Sequence, residues 1–458
     1  MKKMKNILTT IFAAVALLCA TSCAKEEGLL FDKSAAERLN EASSIYSQRL
    51  LDSPHGWALE YFPNTETDED IPIKGAGFLM LTKFDSDKSV VVAMDNIVTG
   101  NAYREDRSAW EVITDNGPVL SFNSHNNVLH TFSVPEDISG TSDDEKGKGF
   151  EGDYEFVMVD VPEGGDYIML KGKKRGTYSR LTRLEEETDF SEYLADVKTK
   201  SNKLFNAKAP NHNFLTVGKN KYKMIMAQSG GDYGVAKIWP HDTDSTFTKE
   251  LHPLIVTRHG VKGAYTYNVR FRNAFSDGEE VSEQEFVFDD NAQKFYGVNN
   301  HECVIEGPNP NDFMAERLEA YASLSLTTAT EASADISGAL EKIKSDFNGY
   351  KYTFQSIRFK KSDDGFRAAV MYRNNKKQNV TTYYNYSWKQ NTDGSISFAY
   401  VSPVNESGET LLKSVPSIAE FFRTFDGQYN VTSYDSPLNL ATVKFVAGEK
   451  YFANTPSY

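Results

Sequence analysis

Apolar and polar residues alternate with a period of two along most of this chain and switch to a period near 3.6 at a few places, so strands dominate and helices punctuate them. Tyr265, Tyr267, Val269 and Phe271 fall on one side of a strand, with Thr266, Asn268, Arg270 and Arg272 on the other. That is the pattern of an antiparallel sheet with one wet face. Tyr154, Phe156 and Met158 alternate less cleanly with Glu155 and Val157. Hairpin turns are marked at Asp115-Asn116-Gly117-Pro118, Asp277-Gly278, Asp363-Asp364-Gly365 and Asp393-Gly394, where glycine can take positive φ.

Helical periodicity begins at Ser34-Ala35-Ala36-Glu37, a capping box in which serine and glutamate each satisfy an orphan backbone N–H. Ala35, Leu39, Ala42, Tyr46 and Leu50 then form one apolar stripe, and Ser53-Pro54 ends the helix. A second helix is predicted from Thr188 to about Ala207, with Phe190, Leu194, Val197 and Leu204 on one face and Pro210 beyond it. A pair follows: Asn309-Pro310 caps a helix carrying Met314, Leu318 and Tyr321, and Ile336, Leu340, Ile343 and Phe347 stripe its partner. A short helix near Pro416 to Phe425 stops at Gly427.

Residues 85–94 can be laid on residues 362–371 at an offset of 277, which also brings Gly117 onto Gly394 and sets Trp110 and Phe122 within one position of Trp388 and Phe398. Two readings remain open: a diverged repeat of helix followed by β-meander at the two ends of the chain, or chance similarity of two hairpins. The expected fold is mainly β with flanking helices (α+β), built of antiparallel meander or sandwich modules. The divisions are 1–22, 23–33, 34–186, 187–306 and 307–458: a signal peptide, a tether and three helix-plus-β modules. At about one domain per ~150 residues the length allows three.

The first division rests on Met1-Lys2-Lys3-Met4-Lys5, a positive start, and on Ile7 to Leu18, an apolar stretch too short to span a bilayer. It closes with Leu18-Cys19-Ala20-Thr21-Ser22-Cys23, which resembles the lipobox cut by lipoprotein signal peptidase, so Cys23 becomes a lipidated N-terminus. Acyl chains contribute about 0.8 kcal/mol per buried methylene, enough for two or three to anchor a protein without a spanning helix. Lys25-Glu26-Glu27 resembles the signal that sends Bacteroidetes lipoproteins to the outer face of the outer membrane. Losing Lys2, Lys3 and Lys5 takes the formal charge from −14 to −17, an acidic balance that argues against nucleic acid. With Cys19 removed and Cys23 acylated, Cys303 is left alone and no internal disulfide can form.

Three stretches, Leu51-Asp52-Ser53-Pro54-His55-Gly56-Trp57-Ala58-Leu59-Glu60-Tyr61, Gly117-Pro118-Val119-Leu120-Ser121-Phe122 and Leu170-Lys171-Gly172-Lys173-Lys174, follow in the order of a known family. On them the chain resembles the Bacteroidetes lipoprotein family called domain of unknown function 4302. The resemblance covers the first half well and the C-terminal half only in general pattern. It implies a surface lipoprotein encoded beside starch-utilisation-type outer-membrane importers, assigns no reaction, and carries over no catalytic residue.

The chemistry of the chain is mute by comparison. His301-Glu302-Cys303-Val304-Ile305 starts like a zinc-protease motif, but Ile305 stands where the second histidine is needed. Gly230 to Lys237 lacks the spacing of a phosphate loop, and Cys303 has only His301 near it. His241, His252 and His259, with Asp242 and Asp244, share one module in an unspecific spacing. The acidic runs Glu66 to Asp70 and Asp143 to Glu145 lack the glycine and distal glutamate of a calcium loop. No catalytic centre, metal site or cofactor is therefore identified. The binding candidate is the row Tyr384, Tyr386 and Trp388, flat rings able to stack on a sugar or grip a peptide; its competing reading, like that of Trp57, is the core face of a sheet. The leading expectation is a non-enzymatic surface module that binds a glycan or peptide and assists an importer. A hydrolase with a site invisible to spacing, and a structural or adhesive surface protein, stay open beside it.

Overall fold

The computed structural model describes residues 33–67, 69–115, 117–136, 138, 146–228, 231–243, 250–320 and 322–457. The chain is mainly antiparallel β, in three barrel-like sheets that follow one another along the sequence. Among the described residues there are six α-helices: α1 Ala35–Leu51, α2 Phe190–Leu204, α3 Pro310–Glu319, α4 Ala334–Gly349, α5 Glu406–Ser414 and α6 Ser417–Phe425.

Local signals explain where the helices start. The Ser34 hydroxyl accepts from the Glu37 N–H at 3.2 Å and the Glu37 carboxylate accepts from the Ser34 N–H at 2.8 Å, so both halves of the capping box form. Asp189 and Asn309 cap α2 and α3 in the same manner, each accepting two N–H groups of the first turn. The stripe Ile336, Leu340, Ile343 and Phe347 is fully buried along α4. Helix α5 is not predicted by the sequence pattern; it is short, and only Gly408 and Leu411 of it are buried.

The middle sheet is a closed barrel of eight strands in chain order, Asn213–Val217 first and Val304–Glu306 last, these two pairing to shut it. In the first sheet the edges are Arg104–Ala109 and Glu111–Thr114, which only Trp110 separates. They are two halves of one bent strand. Trp110 makes the corner: it is buried, and its backbone N–H and its Nε1 donate to the carbonyls of Lys88 and Ser89, each at 2.9 Å. The third sheet runs in chain order from Ser323–Leu326 to Lys450–Asn454, and its ends meet through backbone bonds between Ser323 and Ser457.

Counting the strand bent at Trp110 once, each sheet is an eight-strand antiparallel meander preceded by a helix, α1, α2 or α3. The hairpin around Asp85 to Lys88 joins the second and third strands of the first sheet, and that around Asp363 and Asp364 joins the second and third of the last. The two hairpins related by the 277-residue offset thus hold equivalent places. The middle module has the same architecture without the sequence echo.

In such a meander, alternate connections lie at one end of the barrel. At that end the first module carries the segments 62–77 and 122–154, whose Phe132 and Phe150 pack against Phe78, with Phe132 also 5.2 Å from Tyr61. The third module carries α4 after its first strand and α5 and α6 after its fifth; Phe421, Phe422 and Phe425 are buried there. The middle module makes both corresponding connections by short turns, Val217 to Asn220 and Ser276 to Ser282.

The barrels are joined by polar as well as apolar contacts. Ala58, Leu81 and Ala93 of the first sheet share a core with Leu254 and Val256 of the middle barrel. Gly77 and Gly234 exchange backbone hydrogen bonds of 2.9 and 3.0 Å across the junction, and a Cβ on Gly234 would lie 1.8 Å from the Leu254 oxygen. Beside this contact Glu60 faces Arg180 in one sheet and Arg270 faces Glu285 in the other. The facing pairs cross-link: Glu60 accepts from Arg180 at 2.7 Å and from Arg270 at 3.0 Å, and Arg180 also reaches Glu285 at 2.6 Å. The face of the strand through Arg270 that alternation marks as wet is therefore buried at its centre, Asn268 and Arg270 being 9% and 4% exposed, while Thr266 at one end is exposed and Arg272 at the other half-buried. On the other side, Leu438 of the third module is buried in the core of the middle barrel, where Asn211 and Asn213 donate to its carbonyl at 3.2 and 3.1 Å. No helix among the described residues is long and apolar enough to cross a membrane.

Candidate functional site

The strand ends of the middle barrel that meet at one of its ends bring Tyr222, Ile238, Trp239, Glu250, His252 and Phe275 around a cavity of about 310 Å³. Register explains the grouping: Met224 pairs with Ile238 and Ala236 with His252, so Tyr222 and His252 continue the inward faces of their strands to the rim. Beyond an irregularity in pairing between Arg270 and Phe275, the Phe275 ring lies 5.0 Å from that of the inward-facing Phe271. Phe275 lies 4.9 Å from the His252 ring and 5.7 Å from that of Tyr222, so three rings line the mouth.

Glu250 and His252 also line a second cavity, of about 380 Å³, which passes over the rim to Arg272, Asn273 and, from the first module, Thr67 and Glu69. The two spaces lie side by side, with Glu250 and His252 in the wall of both. Among the described residues Arg272 gives one hydrogen bond, from Nη1 to the Asn64 carbonyl at 2.7 Å, and its pKa is lowered by burial. Among the described residues no carboxylate lies within ion-pair distance of it. His252 is pushed below the usual histidine value, first by burial and then by the Arg272 charge, against an opposing pull from Glu250. Its Nε2 stands 3.8 Å from the Glu250 carboxylate. The arrangement offers an apolar aromatic slot joined to a polar one with both signs of charge, a combination suited to holding a small ligand.

The residues singled out in the sequence fall elsewhere. Tyr384 is completely buried and Tyr386 only 4% exposed; their hydroxyls donate to the carbonyl of Gly408 at 3.3 Å and to Asp426 at 2.5 Å. Trp388 is half-buried and packs on the same core. As a stacking platform this row is corrected: two of its three rings face the interior, because the polar face of their strand is the one turned to water. Trp57 is core too, its Nε1 donating to the Leu50 carbonyl at 2.9 Å and so fastening α1 to the first strand. His241 bonds Asp242, His252 packs at a tilt against Phe275, and His259 meets the Thr257 hydroxyl at 2.9 Å. No group of three metal-ligating side chains occurs among the described residues. Cys303 is buried in the barrel core, where burial pushes its thiol up, and His301 stacks on Tyr296. Cys23, Lys25, Glu26 and Glu27 lie outside the described residues, as do Asp143 to Glu145, Asp244 and Tyr321.

Sequence reasoning missed Tyr222, Glu250, Arg272 and Phe275 as a group. Their one visible trace was Phe275, an aromatic four residues beyond Phe271 and so in step with the inward residues of its strand.

No curated protein matches the chain. Among solved structures it is similar to the DNA polymerase III subunit beta of Pseudomonas aeruginosa, at 10% identity over 91% of this chain and 98% of that one, with a TM-score of 0.14. A second is kievitone hydratase from Nectria haematococca, at 7% identity over 90% of this chain and 91% of that one, with a TM-score of 0.12. The family model described as domain of unknown function (DUF4302) matches residues 27–290, more than half of the sequence. The chain belongs to the DUF4302 family.

Proposed function

We propose that this chain is a lipid-anchored surface protein that captures a nutrient ligand, glycan or peptide, in the mouth of its middle barrel and assists an outer-membrane importer of the starch-utilisation type, without catalysing a reaction. The observation that carries the reading is an asymmetry among three like modules. The first and third fill the equivalent end with Phe132 and Phe150 or with α4 and α6, whereas in the middle one the described residues leave a slot there, rimmed by Tyr222, His252 and Phe275. Rings at a barrel mouth lose little entropy on binding and give a ligand area to bury. The lipobox ending at Cys23 and the Lys25-Glu26-Glu27 run support attachment to the outer membrane, facing outward.

The test has two arms. The chain from Ala24 to Tyr458 is titrated with a panel of glycans and peptides; binding is expected, weakened at least tenfold by Phe275→Ala, and silence across the panel removes the capture reading. In the native host, labelled palmitate is expected to enter the protein and to be lost in Cys23→Ala. An unlabelled wild-type product removes the anchoring.

A further inference from the structure

We infer that the polar half of this site receives a zwitterion, the carboxylate and ammonium of a free amino acid or short peptide, with Arg272 taking the carboxylate and Glu250 with Glu69 the ammonium. The inference rests on the capture reading and narrows its ligand class.

Among the described residues the charges at the cavity are incompletely matched. Arg272 is half-buried, donates only to the Asn64 carbonyl and has no carboxylate partner among the described residues. A guanidinium in that state has already lost hydration, and its planar fork gains two charge-assisted bonds when a carboxylate arrives. Glu250 is largely exposed, and His252 Nε2, 3.8 Å from its carboxylate, belongs to a ring whose pKa is lowered. Glu69 reaches Lys237 only at 3.9 Å. One cavity thus carries a cation wanting an anion and two carboxylates loosely matched by cations.

A neutral sugar would leave all three charges unanswered, and a simple anion would meet two glutamates. A zwitterion answers both signs at once. Asn273 and Thr67 add neutral hydrogen-bonding groups to the same wall, and about 380 Å³ is room for an amino acid or a dipeptide. The adjoining slot of Tyr222, His252 and Phe275 lies where an apolar side chain of that ligand would go.

Isothermal titration of the chain from Ala24 to Tyr458 with Ala-Xaa dipeptides, their C-terminal amides, their N-acetyl forms and maltotriose tests this. Free dipeptides are expected to bind, amidation and acetylation each to weaken them at least tenfold, and maltotriose to stay silent. Arg272→Ala is expected to weaken the free dipeptide at least tenfold while leaving the amide unchanged, and Glu250→Gln to do the same for the acetyl form. Because the ligand modifications are read on the unaltered protein, a variant that fails to fold leaves the test intact. Dipeptides that bind equally well as amides, or maltotriose that binds with an affinity indifferent to Arg272→Ala, overturn the zwitterion and leave capture standing. Silence toward every ligand overturns both.

Discussion

Single residues decide how this protein responds to acid and to crowding. His252 and His130 are held below the usual histidine pKa of 6.5, in both cases chiefly by burial, with Arg272 and His125 respectively adding repulsion. The unfolded chain therefore takes up protons more readily than the folded one. Their contribution to stability is full above about 6.5 and is lost as pH falls through the lower folded values. The midpoint of thermal unfolding is expected to drop between pH 7 and pH 5, and His252→Gln with His130→Gln to flatten that slope; an unchanged slope would refute the assignment. Crowding is sharpest at Gly234, where a Cβ would stand 1.8 Å from the Leu254 oxygen. Gly234→Ala overpacks the contact with the neighbouring strand of the same barrel and is expected to cost about 1–3 kcal/mol, as overpacking does. Chemical denaturation of the purified variant measures it.

Between elements, burial settles which charges matter. Glu60 is fully buried and holds Arg180 and Arg270 together, while Lys219 and Glu279 pair in the open, 57% and 66% exposed. Burial works against the Arg180 charge, yet Glu60 and Glu285 overcome it and keep its pKa above the ordinary value. Breaking a buried network by removing one partner costs about 3–5 kcal/mol, because it strands the others, whereas an exposed pair is worth about 1 kcal/mol or less. Glu60→Gln is expected to destabilise by several kcal/mol and Glu279→Gln scarcely at all; equal denaturation midpoints would show the network to be idle. Helix α4 offers the opposite sign. Gly338 sits inside it with nothing within 4 Å of the place a methyl would take, so Gly338→Ala is expected to stabilise by about 0.5–1 kcal/mol. The helices were legible because caps and stripes are local: Ser34 with Glu37, Asn309, and Ile336 to Phe347 could be read without knowing what they pack on. The strand through Arg270 was legible as a strand but not in its surroundings. Its polar face is dry at Asn268 and Arg270 because a second sheet brings Glu60 to it, and no periodicity within eight residues encodes a partner 210 positions away. The same holds for the site, whose Tyr222, Glu250, Arg272 and Thr67 come from four separated stretches.

At the scale of the whole molecule, the middle barrel is the piece that both neighbours complete. Its outer face is covered by Ala58, Leu81 and Ala93 from the first sheet, and Leu438 of the third module enters its core, hydrogen-bonded to Asn211 and Asn213. The outer two modules echo each other in sequence while the middle does not, a difference consistent with its surface being shaped by two junctions and an open mouth. Much of the hydrophobic burial of the middle barrel is thus shared, so its unfolding exposes apolar area on both sides and should drag the neighbours with it. Calorimetry of the chain from Ala24 to Tyr458 is expected to give one dominant transition instead of three. Leu438→Ala removes a buried side chain worth about 2–5 kcal/mol at such sites. If the junctions couple the barrels, that change shifts the whole transition downward together; if the barrels are independent beads, it leaves the first module melting where it did, and the coupling drawn from Glu60, Gly234 and Leu438 fails.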